Sequence, residues 1–221
     1  MITLHLLDVY DRIFGAYGPQ RWWPGDSSFE VIVGAILTQS AAWGNVEKAI
    51  TNLKAAGVLS VEGIYALPEP ELAQLIRPSG YFNAKAAKLK ALVNLIYERF
   101  DGSLEAMLSL PAAELRPLLL ATHGIGPETA DAILLYAAGQ PVFVIDAYTR
   151  RTFSRLGVTP RRDTYEGWQQ LFMGALPPDA GMFNEYHALI VRHAKDVCGR
   201  EPRCTGCPLL EVCPTGGRGL R

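Results

Sequence analysis

The chain has 221 residues, of which 49% are hydrophobic, and its formal net charge is −1. This length allows one large domain or two small ones with a sizeable core. No apolar run approaches a membrane span, and Asp8, Asp11 and Arg12 interrupt the apolar stretch that a secretory leader would need. We therefore expect a soluble, cytoplasmic protein.

Almost every segment along the chain has a helical pattern. Three helical segments are indicated in the first half: 29–37, 45–56 and 83–100. The third is long and amphipathic, and its periodicity predicts Lys85, Lys88 and Lys90 on the polar side. Only residues 142–145 favour an extended conformation, and they are too few to support a sheet. The pattern predicts an all-α fold.

A helix, a turn with two glycines and a second helix are predicted for residues of about 112–138. Gly124 and Gly126 flank one apolar residue, so the turn can be tight and can let another backbone come close. Pro127 suits the first position of the second helix, whose free N–H groups can bind a phosphate. A plain helix C-cap and turn is the alternative interpretation.

Asp146 ends the apolar run 142–145, shortly after this hairpin. A lone carboxylate at such a place is a candidate catalytic group. An ordinary helix N-cap is the alternative.

All four cysteines lie in residues 198–213: Cys198, Cys204, Cys207 and Cys213. With no cysteine elsewhere, a secreted disulfide framework is not expected. Zinc sites usually pair two C-x-x-C units across a longer gap, whereas one C-x-x-C with two outlying cysteines suits an iron–sulfur cluster. Zinc and free thiols remain the alternatives.

The charge is unevenly distributed along the chain. Residues 147–221 hold eleven Lys and Arg against seven Asp and Glu, a net of +4, which leaves −5 for the remainder. Such asymmetry is compatible with one DNA-facing surface, and equally with solvated helix faces.

Taken in this order and spacing, the hairpin, Asp146 and the cysteine loop resemble the endonuclease III superfamily of DNA glycosylases, the HhH-GPD proteins. Ile36-Leu37-Thr38-Gln39-Ser40 resembles the family's Leu-x-x-Gln segment, and residues 80–86 resemble its Gly-Leu/Tyr-Tyr-Asn-x-Lys-Ala segment. The resemblance covers residues from about 28 to 213. The pair Trp22-Trp23, together with residues 38–47, looks like the 3-methyladenine DNA glycosylase III branch.

The resemblance implies two closely packed helical domains with a DNA-binding cleft. One domain would comprise residues 21–138, and the other residues 1–20 with 139–221. The loop 198–213 would carry a [4Fe-4S] cluster, although the family's first cysteine spacing usually encloses six residues and this chain has five. The expected partner is double-stranded DNA that contains a damaged base, bound by a monomer.

Roles for the DNA-contacting residues follow from the same resemblance. Gln39 would fill the gap left by an extruded nucleotide, and Tyr81 would wedge into the opposite strand. The hairpin glycines and a basic cluster loop would contact the DNA; these residues are Gly124, Gly126, Arg200 and Arg203.

One departure from the family pattern decides the expected chemistry. Bifunctional members have a lysine two positions after the second hairpin glycine, and its amine forms the Schiff base that allows strand cleavage. Glu128 stands there in this chain, and a carboxylate cannot form an imine. We expect a monofunctional glycosylase in which Asp146 stabilises the transition state and helps to activate water.

Three tryptophans indicate the substrate. Extruded bases are read by stacking, and indoles attract cationic rings such as N-alkylated purines. Trp22, Trp23 and Trp43 are therefore expected to form the base pocket for a lesion such as 3-methyladenine, although they could equally be core residues. The alternatives are a glycosylase for oxidised pyrimidines or mismatched bases, and a non-catalytic lesion-binding module.

Overall fold

The computed structural model describes residues 2–216, with side chains from residue 5 onward, and all regular elements in this part are helical. The α-helices are α1 Ile2–Tyr17, α2 Ser28–Leu37, α3 Trp43–Ala55, α4 Val61–Ala66, α5 Glu69–Leu75, α6 Phe82–Phe100, α7 Leu104–Leu108, α8 Ala112–Ala121, α9 Pro127–Ala132, α10 Ala147–Arg155, α11 Tyr165–Met173 and α12 Ala180–Asp196. The predicted all-α fold is confirmed. No helix within the described range combines the length and the apolarity that crossing a bilayer requires.

The chain divides into two compact units. One contains residues 23–140, and the other contains residues 1–22 together with 141–221. The boundaries expected from the sequence, after residues 20 and 138, lie two residues from these.

Helix α2 forms the centre of the first unit. Its residues Phe29–Leu37 are all buried, and they pack against α3, α6 and α9. Ser27 begins the helix, since its hydroxyl accepts a hydrogen bond of 3.2 Å from the Glu30 amide. The helical segment predicted for residues 29–37 is therefore a helix whose residues, Glu30 among them, are buried on every side.

The hairpin of α8 and α9 lies in the same unit. Gly124 adopts a φ of +76°, a left-handed conformation that favours glycine, and Ile125 buries its side chain beneath the turn. Arg116 on α8 forms two hydrogen bonds, of 2.7 and 3.1 Å, with the buried Asp131 on α9. This paired contact fixes one hairpin helix against the other.

The second unit is built around α12, which packs against α1 and α10. Stacked and edge-on rings fill its core: Phe143, Phe153, Phe172, Phe183 and Tyr186. Residues 142–145 are buried and non-helical, and they pair with no other segment as a strand within the described residues. They bring the chain through the core to the start of α10.

Candidate active site

Asp146 lies at the start of α10 with its side chain 12% exposed. One carboxylate oxygen accepts a 2.7 Å hydrogen bond from the Thr149 amide, so Asp146 is the N-cap of this helix. The other oxygen lies 3.5 Å from Nε2 of the buried His187 on α12. The two oxygens of this carboxylate thus face different partners, the start of α10 and His187.

The environment of Asp146 keeps this carboxylate ionised. Burial raises its pKa, but the attraction of His187 and the hydrogen bonds from His187 and Thr149 outweigh that effect. The net result is a pKa below the ordinary value of 3.8. Asp146 is therefore a negative charge at neutral pH that is largely removed from water.

Glu128 occupies the first turn of α9, where it is exposed. A carboxylate at the start of a helix interacts favourably with the helix dipole. Gly126, two residues before it, is also exposed, and a side chain added there would meet no atom within 4 Å. The surface of the turn at Gly126 is therefore open to an approaching molecule.

Gln39 follows α2 and lies on the hairpin. Its Nε2 donates to Thr129 Oγ1 at 2.9 Å and to the Gly124 carbonyl at 3.3 Å, and its Oε1 accepts a hydrogen bond from Lys88 Nζ. The structure thus brings two predicted site residues, Gln39 and Gly124, into direct contact.

Tyr81 is the most exposed large hydrophobic side chain of those described, at 74%. Its backbone has a φ of +48° and precedes the first residue of α6. A left-handed conformation is uncommon for an aromatic residue and costs free energy, and an exposed ring gains little from burial in return. This combination is typical of a residue that acts on a partner molecule.

The sequence predicts Lys85 on the polar side of α6, but this prediction is wrong. The side chain of Lys85 is buried and only 1% exposed. Its Nζ donates to the Leu37 carbonyl at 2.8 Å and to the Ser79 carbonyl at 2.6 Å. Burial lowers the pKa of Lys85, and the nearby charge of Lys88 acts in the same direction. Lys85 joins the segment before Gln39 to the segment before Tyr81.

Two of the three predicted pocket tryptophans come together. Trp23 lies edge-on to Trp43 with ring centroids 5.5 Å apart, and it also lies 5.3 Å from the ring of Tyr136. All three rings are partly exposed. Trp22 is assigned to the other compact unit, despite its position beside Trp23 in the sequence.

The four cysteines line one partly enclosed cavity in the unit that contains Asp146. Each is partly buried. Burial raises the pKa of the Cys207 thiol, and the sulfurs of the other three cysteines act in the same direction. Among the described side chains, no three His, Cys, Asp or Glu residues gather closely enough to hold a single metal ion.

Arginines from α10 hold the cysteine loop. Arg155 donates to the Cys198 sulfur at 3.2 Å and to the Gly199 carbonyl at 2.6 Å. The two arginines predicted to bind DNA, Arg200 and Arg203, are both exposed. Arg203 also donates a hydrogen bond to the Asp196 carbonyl at the end of α12. Arg200 contributes its backbone carbonyl to Arg155 and leaves its side chain at the surface.

Sequence reasoning did not identify His187, Thr129 and Tyr136 as site residues. His187 is brought to Asp146 by the packing of α12 on α10, which no local pattern reveals. Tyr136 belongs to a π-helical turn, Ile133–Ala137, that continues α9. Such turns are frequent at functional sites but have no dependable sequence signal.

Comparison with known proteins identifies the family. The model of the HhH-GPD superfamily base excision DNA repair protein matches residues 33–178. A protein of Methanocaldococcus jannaschii named "Putative DNA repair glycosylase" is 44% identical over 206 residues, which are 93% of this chain and 94% of that protein.

Solved structures agree with this result. The 3-methyladenine DNA glycosylase MagIII of Helicobacter pylori, bound to 1,N6-ethenoadenine, is 29% identical with a TM-score of 0.72, over 88% of this chain and 95% of that one. A non-covalent endonuclease III–DNA complex has a TM-score of 0.83 and covers 99% and 98% of the two chains. Its identity of 22% means that this second likeness concerns the fold alone.

Proposed function

The chain belongs to the HhH-GPD superfamily of base excision DNA repair proteins and is a DNA glycosylase, and we propose that it removes N-alkylated purines such as 3-methyladenine without cutting the strand. In this reaction the bond between deoxyribose C1′ and the base nitrogen breaks. A cationic base leaves with the bonding electrons as a neutral molecule, and water adds at C1′. The products are the free base and an intact abasic site.

The observation that carries the proposed reaction is the ionised, largely buried carboxylate of Asp146. When the base departs, positive charge develops on the sugar, and a negative charge shielded from water stabilises it more strongly than an exposed one. The same carboxylate can accept a proton from the attacking water. His187 keeps the carboxylate charged and holds one of its oxygens in place.

The absence of strand cleavage is proposed from the residue at position 128. A lyase step at this position needs an amine to attack C1′, whereas Glu128 offers a carboxylate in the first turn of α9. Its exposure and its place in the helix suit a role as a partner of the helix dipole.

The proposed substrate class is supported by the aromatic group of Trp23, Trp43 and Tyr136. An indole face attracts a cationic ring by about 0.5–2 kcal/mol, which favours an N-alkylated purine over a neutral base. The likeness to MagIII, whose name and bound adduct both concern modified adenine, supports the same class.

Contacts with the DNA are proposed for two surfaces. On the first unit, Gln39 would enter the space of the extruded nucleotide and Tyr81 would wedge into the opposite strand. The hairpin turn of Gly124 and Gly126 would let the phosphate backbone approach, on the side that is open at Gly126. On the second unit, Arg200 and Arg203 would contact phosphates.

A [4Fe-4S] cluster is proposed for the cysteine loop. Four cysteines around one cavity offer the ligand set that such a cluster requires. Cys198, Cys204, Cys207 and Cys213 would hold it, and its contribution would be to order the loop that presents Arg200. None of the proposed steps of base removal passes through the cluster.

Release of bases from DNA treated with a methylating agent tests the function. We expect the protein to liberate 3-methyladenine, identified by mass, and Asp146→Asn to lose this activity by about 10²–10⁴-fold. The variant should bind DNA as well or better, since it lacks a negative charge near phosphates. Release of oxidised pyrimidines from a parallel oxidised duplex, with no release from the methylated DNA, would assign a different substrate. Full activity in Asp146→Asn would exclude the proposed role of Asp146.

A further inference from the structure

Lys88 crosses the hairpin turn from α6. If residue 124 carried a Cβ, that atom would clash with Lys88 Cγ and would lie 2.6 Å from both Cδ and Cε. Any side chain at this position would therefore collide with the lysine stem. Gly124 is required both for its positive φ and for the passage of Lys88 over the turn.

The ammonium group of Lys88 contacts the side chain of Gln39. Lys88 Nζ donates to Gln39 Oε1, while Gln39 Nε2 donates to Thr129 Oγ1 and to the Gly124 carbonyl. Both polar atoms of the carboxamide are thus engaged at the hairpin. Gln39 can extend away from this surface only after these hydrogen bonds have been broken.

The partner of this ammonium is neutral. A hydrogen bond between an ammonium and a phosphate oxygen is stronger than one between an ammonium and a carboxamide, because both groups are charged. Lys88 is half-buried, and the Gln39–Gly124 contact is exposed to solvent. A phosphate that reaches the turn can therefore replace Gln39 as the partner of Lys88 at a gain in electrostatic energy.

We propose that Lys88 is a DNA phosphate-binding residue that holds Gln39 against the hairpin until DNA is bound. Contact with a backbone phosphate exchanges the carboxamide for a phosphate oxygen and frees Gln39 to enter the duplex. This coupling rests on the proposed function, in which Gln39 occupies the space of the extruded nucleotide. As a consequence of this coupling, Gln39 enters the duplex only after Lys88 has bound the DNA backbone.

The side-chain amide signals of Gln39 report directly whether Gln39 is held against the hairpin. They can be assigned in the ¹⁵N spectrum by comparison with Gln39→Ala. In the wild-type protein we expect these signals to move when an undamaged duplex is bound. In the free Lys88→Met variant, which keeps the lysine stem but lacks the ammonium, they should already have moved from the wild-type position. Unmoved signals in wild-type protein saturated with DNA would overturn the proposal. This measurement on the wild-type protein does not depend on any variant of Lys88.

The salt dependence of DNA affinity tests the phosphate contact separately. Loss of one contact should reduce the slope of log affinity against log salt by about 0.9 in Lys88→Met, and Lys88→Arg should restore it. Lys90→Met is the matched control, because Lys90 lies on the same helix but donates to the Ile64 and Tyr65 carbonyls. An unchanged slope in Lys88→Met, or an equal loss in Lys90→Met, would contradict the assignment.

Both measurements use undamaged duplex and need no base release. A protein that releases no alkylated base would refute the proposed function without affecting either readout. Conversely, an active glycosylase with an unmoved Gln39 amide would refute only the role assigned to Lys88.

Discussion

His187 Nε2 lies 3.5 Å from the carboxylate of Asp146, and both side chains are largely shielded from solvent. This pair explains how a carboxylate can be buried and yet charged. Without a partner, burial would favour the protonated acid, which neither stabilises positive charge on a sugar nor accepts a proton from water.

The first prediction concerns the pH dependence of base release in His187→Gln. In the wild-type protein the Asp146 pKa lies below 3.8, so this group should cause no loss of activity between about pH 8 and about pH 5. In the variant, burial still raises the pKa, while only the hydrogen bonds from Thr149 remain to lower it. The ionised fraction of Asp146, and with it the single-turnover rate, should therefore begin to fall at a higher pH than in the wild-type protein.

His5→Gln is the control for this measurement, since His5 lies on α1 and is also partly buried. Spontaneous base loss from the same DNA is subtracted at each pH. If His187→Gln lowers the rate equally at every pH, His187 serves the fold or substrate binding and does not set the charge of Asp146.

The second prediction concerns Lys85→Met. Two carbonyls lose their buried donor, and each unsatisfied group costs about 1–3 kcal/mol, partly offset because a buried charge is also removed. We expect a lower thermal midpoint and faster amide hydrogen exchange in the segments next to Gln39 and Tyr81. Lys48→Met, at an exposed position on α3, should change neither measurement.

An exchange rate in Lys85→Met that rises equally throughout α2–α9 would contradict the local role. In that case the variant would have destabilised the whole unit. Faster exchange confined to the two segments would identify Lys85 as the residue that positions both loops.

The hairpin turn and the N-cap position of Asp146 could be predicted because their signals are local. Two glycines and a proline restrict the backbone at their own positions, and an apolar run that ends in one carboxylate is visible without knowledge of the fold. The structure also places Gly124 at a positive φ, as a tight turn requires.

Lys85 and the tryptophans show where such reasoning fails. Periodicity placed Lys85 on the polar face, but its two acceptors, the Leu37 and Ser79 carbonyls, come from other elements that end beside α6. Trp22 and Trp23 are neighbours in sequence, yet the boundary between the two units runs between them. Contacts between distant segments decide both cases, and a single sequence does not contain them.

The third prediction concerns the cysteine loop. The purified protein should contain iron and acid-labile sulfide in equal amounts and absorb broadly in the visible range. Cys207→Ala should lower the bound iron and weaken DNA binding, since the loop that presents Arg200 would lose its order. One zinc ion per chain with no sulfide would show that the cysteines form a different centre.

The fourth prediction is that the protein leaves abasic sites intact. Base release and strand cleavage are measured on the same methylated duplex, before and after hot alkali. Strand breaks should appear only after alkali, because Glu128 supplies no amine for β-elimination. For the same reason, borohydride should trap no covalent protein–DNA adduct.

Another lysine could attack the abasic sugar in place of a residue at position 128. The structure narrows the set of lysines that could do so. Lys85 is 1% exposed and bound to two carbonyls, so its amine cannot reach an abasic sugar without unfolding its surroundings. Lys88 lies against the hairpin turn, and Lys195 lies exposed on α12. Cleavage without alkali that keeps pace with base release would show that the enzyme is bifunctional. If the borohydride adduct then disappears in Lys88→Met or in Lys195→Met, the amine of that lysine has replaced the missing one.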